Sequence, residues 1–182
     1  MKRDDREAAA PARISSLTRW LARRRVALGF AAGAAAMLLA RPTPTTLAAG
    51  AAVAFAGELF RLWAAGHLEK GREVTVSGPY RLTRHPLYAG SAVMGIGLAI
   101  AAASVVVAAM IAAYLGLTLA AAIRSEEAHL TEKFGAAYPA YRRGLGPQVS
   151  RRFSMRRALR NREHRAMLGL LAALALLSWK AL

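Results

Sequence analysis

Residues 88–123 run for 36 positions without a charged side chain. As one α-helix this stretch would be about 54 Å long at 1.5 Å per residue. That is far beyond the ~30 Å hydrocarbon layer of a bilayer. A hairpin of two membrane spans, turning near Ala101–Ser104, fits the length, although the turn carries little helix-breaking chemistry. Charge supports the hairpin independently. Residues 1–25, 66–87 and 124–165 together hold 23 of the 26 lysines and arginines. A hairpin leaves all three segments on one side, and the positive-inside rule makes that side the cytoplasm. A single long helix would send the last segment to the other face.

The remaining apolar blocks extend this pattern. Residues 26–40 form a first run, short for a span unless the helix starts near Trp20 and Arg23–Arg25 snorkel. Arg41-Pro-Thr-Pro-Thr-Thr46 breaks it. Residues 47–65 form a second run containing Glu58 and Arg61, three apart and so able to pair on one helix face. Charges inside a span are candidates for contact with substrate. The alternative is that both sit near the span's end and reach water. Residues 167–179 form a last run of 13, which either lies in the interface, is re-entrant, or crosses as a compressed fifth helix anchored by Trp179. The expected fold is all-α: a polytopic membrane helix bundle of four transmembrane helices, with a fifth short C-terminal span or interfacial helix.

Three regions follow. Residues 1–25 make a charged tail and an amphipathic surface helix with Ile14, Leu17, Trp20 and Leu21 on one side. Residues 26–150 make the membrane core. Residues 151–182 make a basic segment, with 7 arginines between 151 and 165, and the last apolar helix. The chain is 55% hydrophobic with a formal net charge of +16, and that charge flanks apolar spans. Anionic lipid head groups therefore suit it as partners better than nucleic acid does. There is no cysteine, and histidines 67, 85, 129 and 164 form no close pair, so no metal site is expected. No glycine-rich loop follows a strand, which argues against a soluble dinucleotide-type fold.

Chemistry concentrates where the polar loop meets the hairpin. Gly78-Pro79 makes a turn. Pro86 suits a first helical turn with His85 at the N-cap. A helix beginning there, flanked by Arg84 and His85, offers free N–H groups to an anion. The hairpin's other end carries Glu126-Glu127, which point about 100° apart on a helix. If the hairpin closes, the two ends meet at one membrane face.

The order G-P-Y-x-x-x-R-H-P-x-Y-x-G (residues 78–90), then Glu126-Glu127, then Phe134-Gly135-x-x-Tyr138-x-x-Tyr141-Arg142, resembles the isoprenylcysteine carboxyl methyltransferase and phospholipid methyltransferase family, over about residues 47–147. The resemblance implies an integral-membrane enzyme that uses S-adenosylmethionine. It implies a cofactor pocket lined by Tyr80, Arg84, His85, Pro86, Tyr88, Gly90, Glu126 and Glu127. His85, Glu127 and Arg142 become the catalytic candidates. Tyr138 and Tyr141, with Glu58 and Arg61, become the candidates for substrate. The basic tail and the last apolar run depart from the family pattern, and can cover the site or gate lipid entry.

The expected function is methyl transfer from S-adenosylmethionine to a lipophilic acceptor at the cytoplasmic membrane face, nearest to isoprenylcysteine carboxyl methylation. Phospholipid amine N-methylation is the enzymatic alternative. A non-catalytic membrane protein that binds anionic lipid is the rival from another class.

Overall fold

The computed structural model describes residues 31–135, 137–143 and 151–182, and every regular element among them is helical. The tail and surface helix expected in residues 1–25 lie outside the described residues. Contacts divide the chain into residues 1–35 and 36–182; of the first unit, residues 31–35 are described, and they are helical.

Helix α1 (residues 31–39) ends at the Arg41–Thr46 break. There Thr43 caps α2 (Pro44–His67): its hydroxyl accepts from Thr46 N–H while Thr46 returns a bond to Thr43 N–H, with Pro44 just inside. The Gly78-Pro79 turn becomes one turn of 3₁₀ helix (Gly78–Arg81), with Gly78 at φ 58°. Helix α3 (Pro86–Ala102) starts as its sequence indicates, with His85 at the N-cap and Pro86 in the first turn. It stops at Ala103, which takes a left-handed φ of 47°, and Ser104 then caps α4 (Val105–Phe134). The hairpin expected near residues 101–104 is therefore present. Gly135 ends α4. Short helices α5 (Ala137–Arg142) and α6 (Met155–Arg160) precede α7 (Glu163–Ala181).

Among the described residues two helices, α2 and α4, are long and apolar enough to cross a membrane. This is fewer than the four spans expected. Helix α3 is apolar but has 17 residues, about 26 Å at 1.5 Å each, because capping at His85 and the turn at Ala103 fix both ends. The first expected span is described from residue 31 onward.

Packing between α2 and α3 depends on missing side chains. A Cβ on Gly97 would lie 2.3 Å from Ala54 N, one on Gly50 2.5 Å from Gly97 O, and one on Gly57 2.5 Å from Met94 N. Glycines thus let the two backbones approach as small residues do between membrane helices. Between α3 and α4 an apolar groove of about 310 Å³ remains, lined by Ala92, Gly95 and Ala99 on one side and Ala108, Ile111 and Leu115 on the other.

Helix α7 lies along α2 in the opposite direction. Its first residue, Glu163, meets Arg61, and Lys180 near its end donates to the carbonyls of Met37 and Leu38. Leu177 packs with Ala40, Ala101 and Ala102 at the hairpin-turn end. Residues 167–179 lie within α7, which packs along α2 and is not one of the helices long and apolar enough to cross a membrane.

The basic segment is partly turned inward. The sequence places all of it at head groups, but Glu69 binds Arg151 (3.2 Å), Arg157 (2.8 Å) and Arg160 (2.8 Å), and Arg151 also reaches Glu73 (2.6 Å). The segment also caps α2. Asn161 Nδ2 donates to the carbonyls of Ala65 and Leu68, while Arg157 and the Ser154 N–H donate to that of Gly66. These are the carbonyls that a helix end leaves without partners. Arg152, Arg156, Arg162 and Arg165 remain exposed.

Candidate functional site

Closing the α3–α4 hairpin brings together residues 42 positions apart. His85 Nε2 lies 3.2 Å from Glu127 Oε1, so that nitrogen carries the hydrogen and the carboxylate accepts. His85 Nδ1 is 4.0 Å from Glu126 Oε2. Arg84 stands 3.9 Å from the same Glu127 oxygen that His85 reaches. The His85 and Tyr88 rings stack with centroids 5.8 Å apart. The two glutamates therefore face different ring nitrogens of His85, and Glu127 also faces Arg84. Both stay accessible, with side chains 42% (Glu126) and 27% (Glu127) exposed, so an approaching ligand can reach them.

The loop before α3 and helix α5 close one flank. Tyr141 donates its hydroxyl to the Tyr80 carbonyl at 3.0 Å, and its ring leans on that of buried Tyr138. Burial raises the Tyr141 hydroxyl above the usual phenol range, with Arg84 working against it. Burial also raises the Tyr80 hydroxyl, and the negative charge of Glu126 adds to this. Both phenols are therefore neutral donors at ordinary pH. Arg142 ends α5, and its side chain lies outside the described residues.

Pro86 and Gly90 act through the backbone. Pro86 is buried in the first turn of α3. A Cβ on Gly90 would stand 2.5 Å from Arg61 Cγ and 2.8 Å from the Gly57 carbonyl, so glycine there lets α3 press onto α2.

Glu58 and Arg61 lie behind this face. Arg61 Nε is 3.5 Å from Glu58 but 2.7 Å from Glu163, and its Nη1 donates to Ser91 Oγ and to the Leu87 carbonyl (3.3 Å). Glu58 is fully buried, so of the two alternatives open for it, reaching water is excluded. Reading the sequence missed Glu163, which sits within the basic segment. One signal was available there: Glu163 is the sole acidic residue among the seven arginines of 151–165.

Could this face hold S-adenosylmethionine? The donor set is chemically suited. Two accessible carboxylates complement cationic sulfonium and ammonium groups, Arg84 and the start of α3 complement a carboxylate, and stacked aromatic rings offer a flat apolar surface. Among the described residues, no three metal-ligating side chains come together.

Comparison with known proteins places the chain. It is 38% identical over 76 residues to a nickel-cobalt-cadmium resistance protein, NccN, of Alcaligenes xylosoxydans xylosoxydans, covering 41% of this chain and 36% of that one. It is 37% identical over 76 residues to a cobalt-zinc-cadmium resistance protein, CzcN, of Cupriavidus metallidurans, covering 41% and 35%. The chain thus matches about a third of the length of these curated relatives. No solved structure matches it. The phospholipid methyltransferase family matches residues 28–137, more than half of the chain and the whole α2–α4 framework that carries His85 and the glutamate pair. This chain belongs to the phospholipid methyltransferase family.

Proposed function

We propose that the protein transfers a methyl group from S-adenosylmethionine to a lipophilic acceptor held at the membrane face where α3 begins. The observation that carries this reading is the 3.2 Å contact between His85 and Glu127 across the hairpin. It joins the two parts of the sequence pattern into one polar cluster at the end of an apolar bundle.

When bound, the cofactor supplies an electrophilic methyl group on a cationic sulfur. Glu126 and Glu127 offer the negative charge that such a cation needs, and Arg84 offers charge of the other sign. Tyr80, Tyr88, Tyr138 and Tyr141 wall the site and limit water. If the acceptor is an amine, it must lose a proton, and the pair formed by His85 Nε2 and Glu127 Oε1 is placed to take it. A carboxylate acceptor needs no such base. Arg142 has a proposed role in orienting substrate. The apolar α3–α4 groove, lined by residues between Ala92 and Ala99 and between Ala108 and Leu119, is the proposed lateral approach for a lipophilic tail.

The acceptor proposed first is a prenylated carboxylate of the isoprenylcysteine kind. The family's name favours a second reading, a phospholipid amine. The cytoplasm is the proposed location of the site, since exposed Arg72, Arg81, Arg84, Arg152 and Arg156 belong to the segments that bound it. Radiolabelled S-adenosylmethionine, offered with a prenylated cysteine analogue or with phosphatidylethanolamine to the protein in nanodiscs, tests both. Label in one lipid product identifies the acceptor class. No label in either, with no cofactor binding by calorimetry, would refute the reading and leave a lipid-binding membrane protein.

A further inference from the structure

We propose that Glu163, acting through Arg61, is a positioning residue: the pair forms a latch by which α7 holds the first turn of α3. Its consequence for catalysis rests on the methyltransferase reading above; its geometry does not.

Arg61 is gripped from two sides. Glu163 Oε1 accepts from Nε at 2.7 Å, while Nη1 donates to the Leu87 carbonyl at 3.3 Å and to Ser91 Oγ. Ser91 Oγ in turn donates to the same Leu87 carbonyl at 2.9 Å. That carbonyl belongs to the peptide between Leu87 and Tyr88. Arg61 therefore holds the turn that carries Tyr88 and follows directly on His85. Gly90 removes any side chain that would keep α3 off the Arg61 stem.

Glu163 is delivered to this point by an over-determined turn. Arg162 adopts a left-handed φ of 64°, uncommon for a residue with a side chain. Asn161, just before it, is tied to two carbonyls at the end of α2, each at 2.9 Å. The surroundings thus hold the strained residue in place, and Glu163 is left 4% exposed. Its charge also acts on the Tyr80 hydroxyl, alongside that of Glu126.

A second partner for Arg61 waits one turn back on its own helix. Glu58 is fully buried, 3.5 Å from Nε, and its oxygens accept no hydrogen bond among the described residues. Both carboxylates face the single Nε–H, which Glu163 takes at 2.7 Å while Glu58 stands at 3.5 Å. With Glu163 in place Arg61 faces α7 and α3; without it, Arg61 turns to Glu58 and lets go of Leu87 and Ser91. The two glutamates therefore compete, and removing both should restore what removing Glu163 alone disturbs. A role confined to stabilising α7 would show no such rescue.

Hydrogen–deuterium exchange on the nanodisc-embedded protein reads this directly, with S-adenosylmethionine affinity as a second readout. Glu163→Gln is expected to speed exchange of the amides of residues 88–92 by about tenfold, the order set by losing a charge-assisted hydrogen bond. The α4 amides should change little. Glu58→Gln combined with Glu163→Gln should bring residues 88–92 back to within about threefold of the parent protein, by the same measure. If Glu163→Gln does not fold, Ser91→Ala takes its place, since it removes one of the two bonds from Arg61 to α3 while leaving Glu163 bound; it should speed the same amides. The latch is overturned if residues 88–92 are unaffected, if exchange rises equally throughout, or if the double variant fails to restore it. Should the parent protein bind no cofactor, the methyltransferase reading falls, and the exchange result still decides the latch.

Discussion

Glu126 and Glu127 are neighbours with unequal work. Glu127 holds His85 at 3.2 Å and lies 3.9 Å from Arg84, whereas Glu126 is more exposed and stands 4.0 Å from the other ring nitrogen of His85. A charge-assisted hydrogen bond contributes roughly 1.5–3 kcal/mol, which corresponds to about tenfold to over a hundredfold in affinity. Calorimetry with S-adenosylmethionine should show a loss of that size for Glu127→Gln and His85→Ala, and a smaller one for Glu126→Gln. Equal affinity in all three variants and the parent protein would remove these residues from the site. At Glu69 a different balance applies. Burial pushes its carboxyl up, but the hydrogen bond from Arg157 and the charges of Arg160 and Arg157 outweigh this and leave it lowered. A lowered folded pKa means that stability is fully present above the unfolded value of 4.5 and is lost as pH falls through the folded value. Thermal melts in detergent should therefore fall steeply with acid below about pH 4.5. Glu69→Gln should melt lower at neutral pH and show a flatter acid limb; an unchanged limb would mean that the arginine cluster does not couple to folding.

Between helices, contact is decided by glycine. A methyl on Gly97 has no room, since its nearest neighbours are the backbone atoms Ala54 N and Gly50 O, at 2.3 and 2.6 Å. Backbone cannot swing aside as a side chain can, so α2 and α3 must separate along their length. Gly97→Ala should lower the melting temperature measurably, an overpacking cost of about 1–3 kcal/mol. Gly116 on α4 is the control, because a Cβ there meets nothing within 4 Å. Gly116→Ala should be neutral or stabilising by up to about 1 kcal/mol, since alanine is the better helix former. Equal destabilisation by the two would show that the close approach of α2 and α3 is not what holds the pair together.

For the molecule as a whole, the testable property is sidedness. The ends of α2 and α4 and the start of α3 gather at one end of the bundle, and the Ala103–Ser104 turn lies at the other. The chain has no cysteine of its own, so single cysteines report cleanly. Lys70→Cys and Glu132→Cys, both at exposed positions, should react with a membrane-impermeant maleimide from the same side. Val105→Cys, 87% exposed, should react from the opposite side. Labelling of Lys70→Cys and Glu132→Cys from opposite sides would refute the hairpin as a membrane-crossing unit.

Local chemistry and one-dimensional length were enough for much of this protein. The Pro86 start, the Gly135 stop, the break before Pro44 and the folding of a 36-residue apolar run into a hairpin follow from backbone restrictions and the thickness of a bilayer. So does the meeting of His85 with the glutamate pair, because a closed hairpin returns its ends to one place. The C-terminal third was not legible in the same way. Arg151, Arg157 and Arg160 look like any basic surface until Glu69, some 80 to 90 positions earlier, is beside them. Glu58 and Arg61 look like a pair, since i and i+3 face each other on any helix. A carboxylate from α7, 102 positions away, takes the guanidinium at a shorter distance. Charge pairing within one helix can be read from spacing, but the choice among several partners depends on which helices the packed core brings within 3 Å, and that is decided in three dimensions.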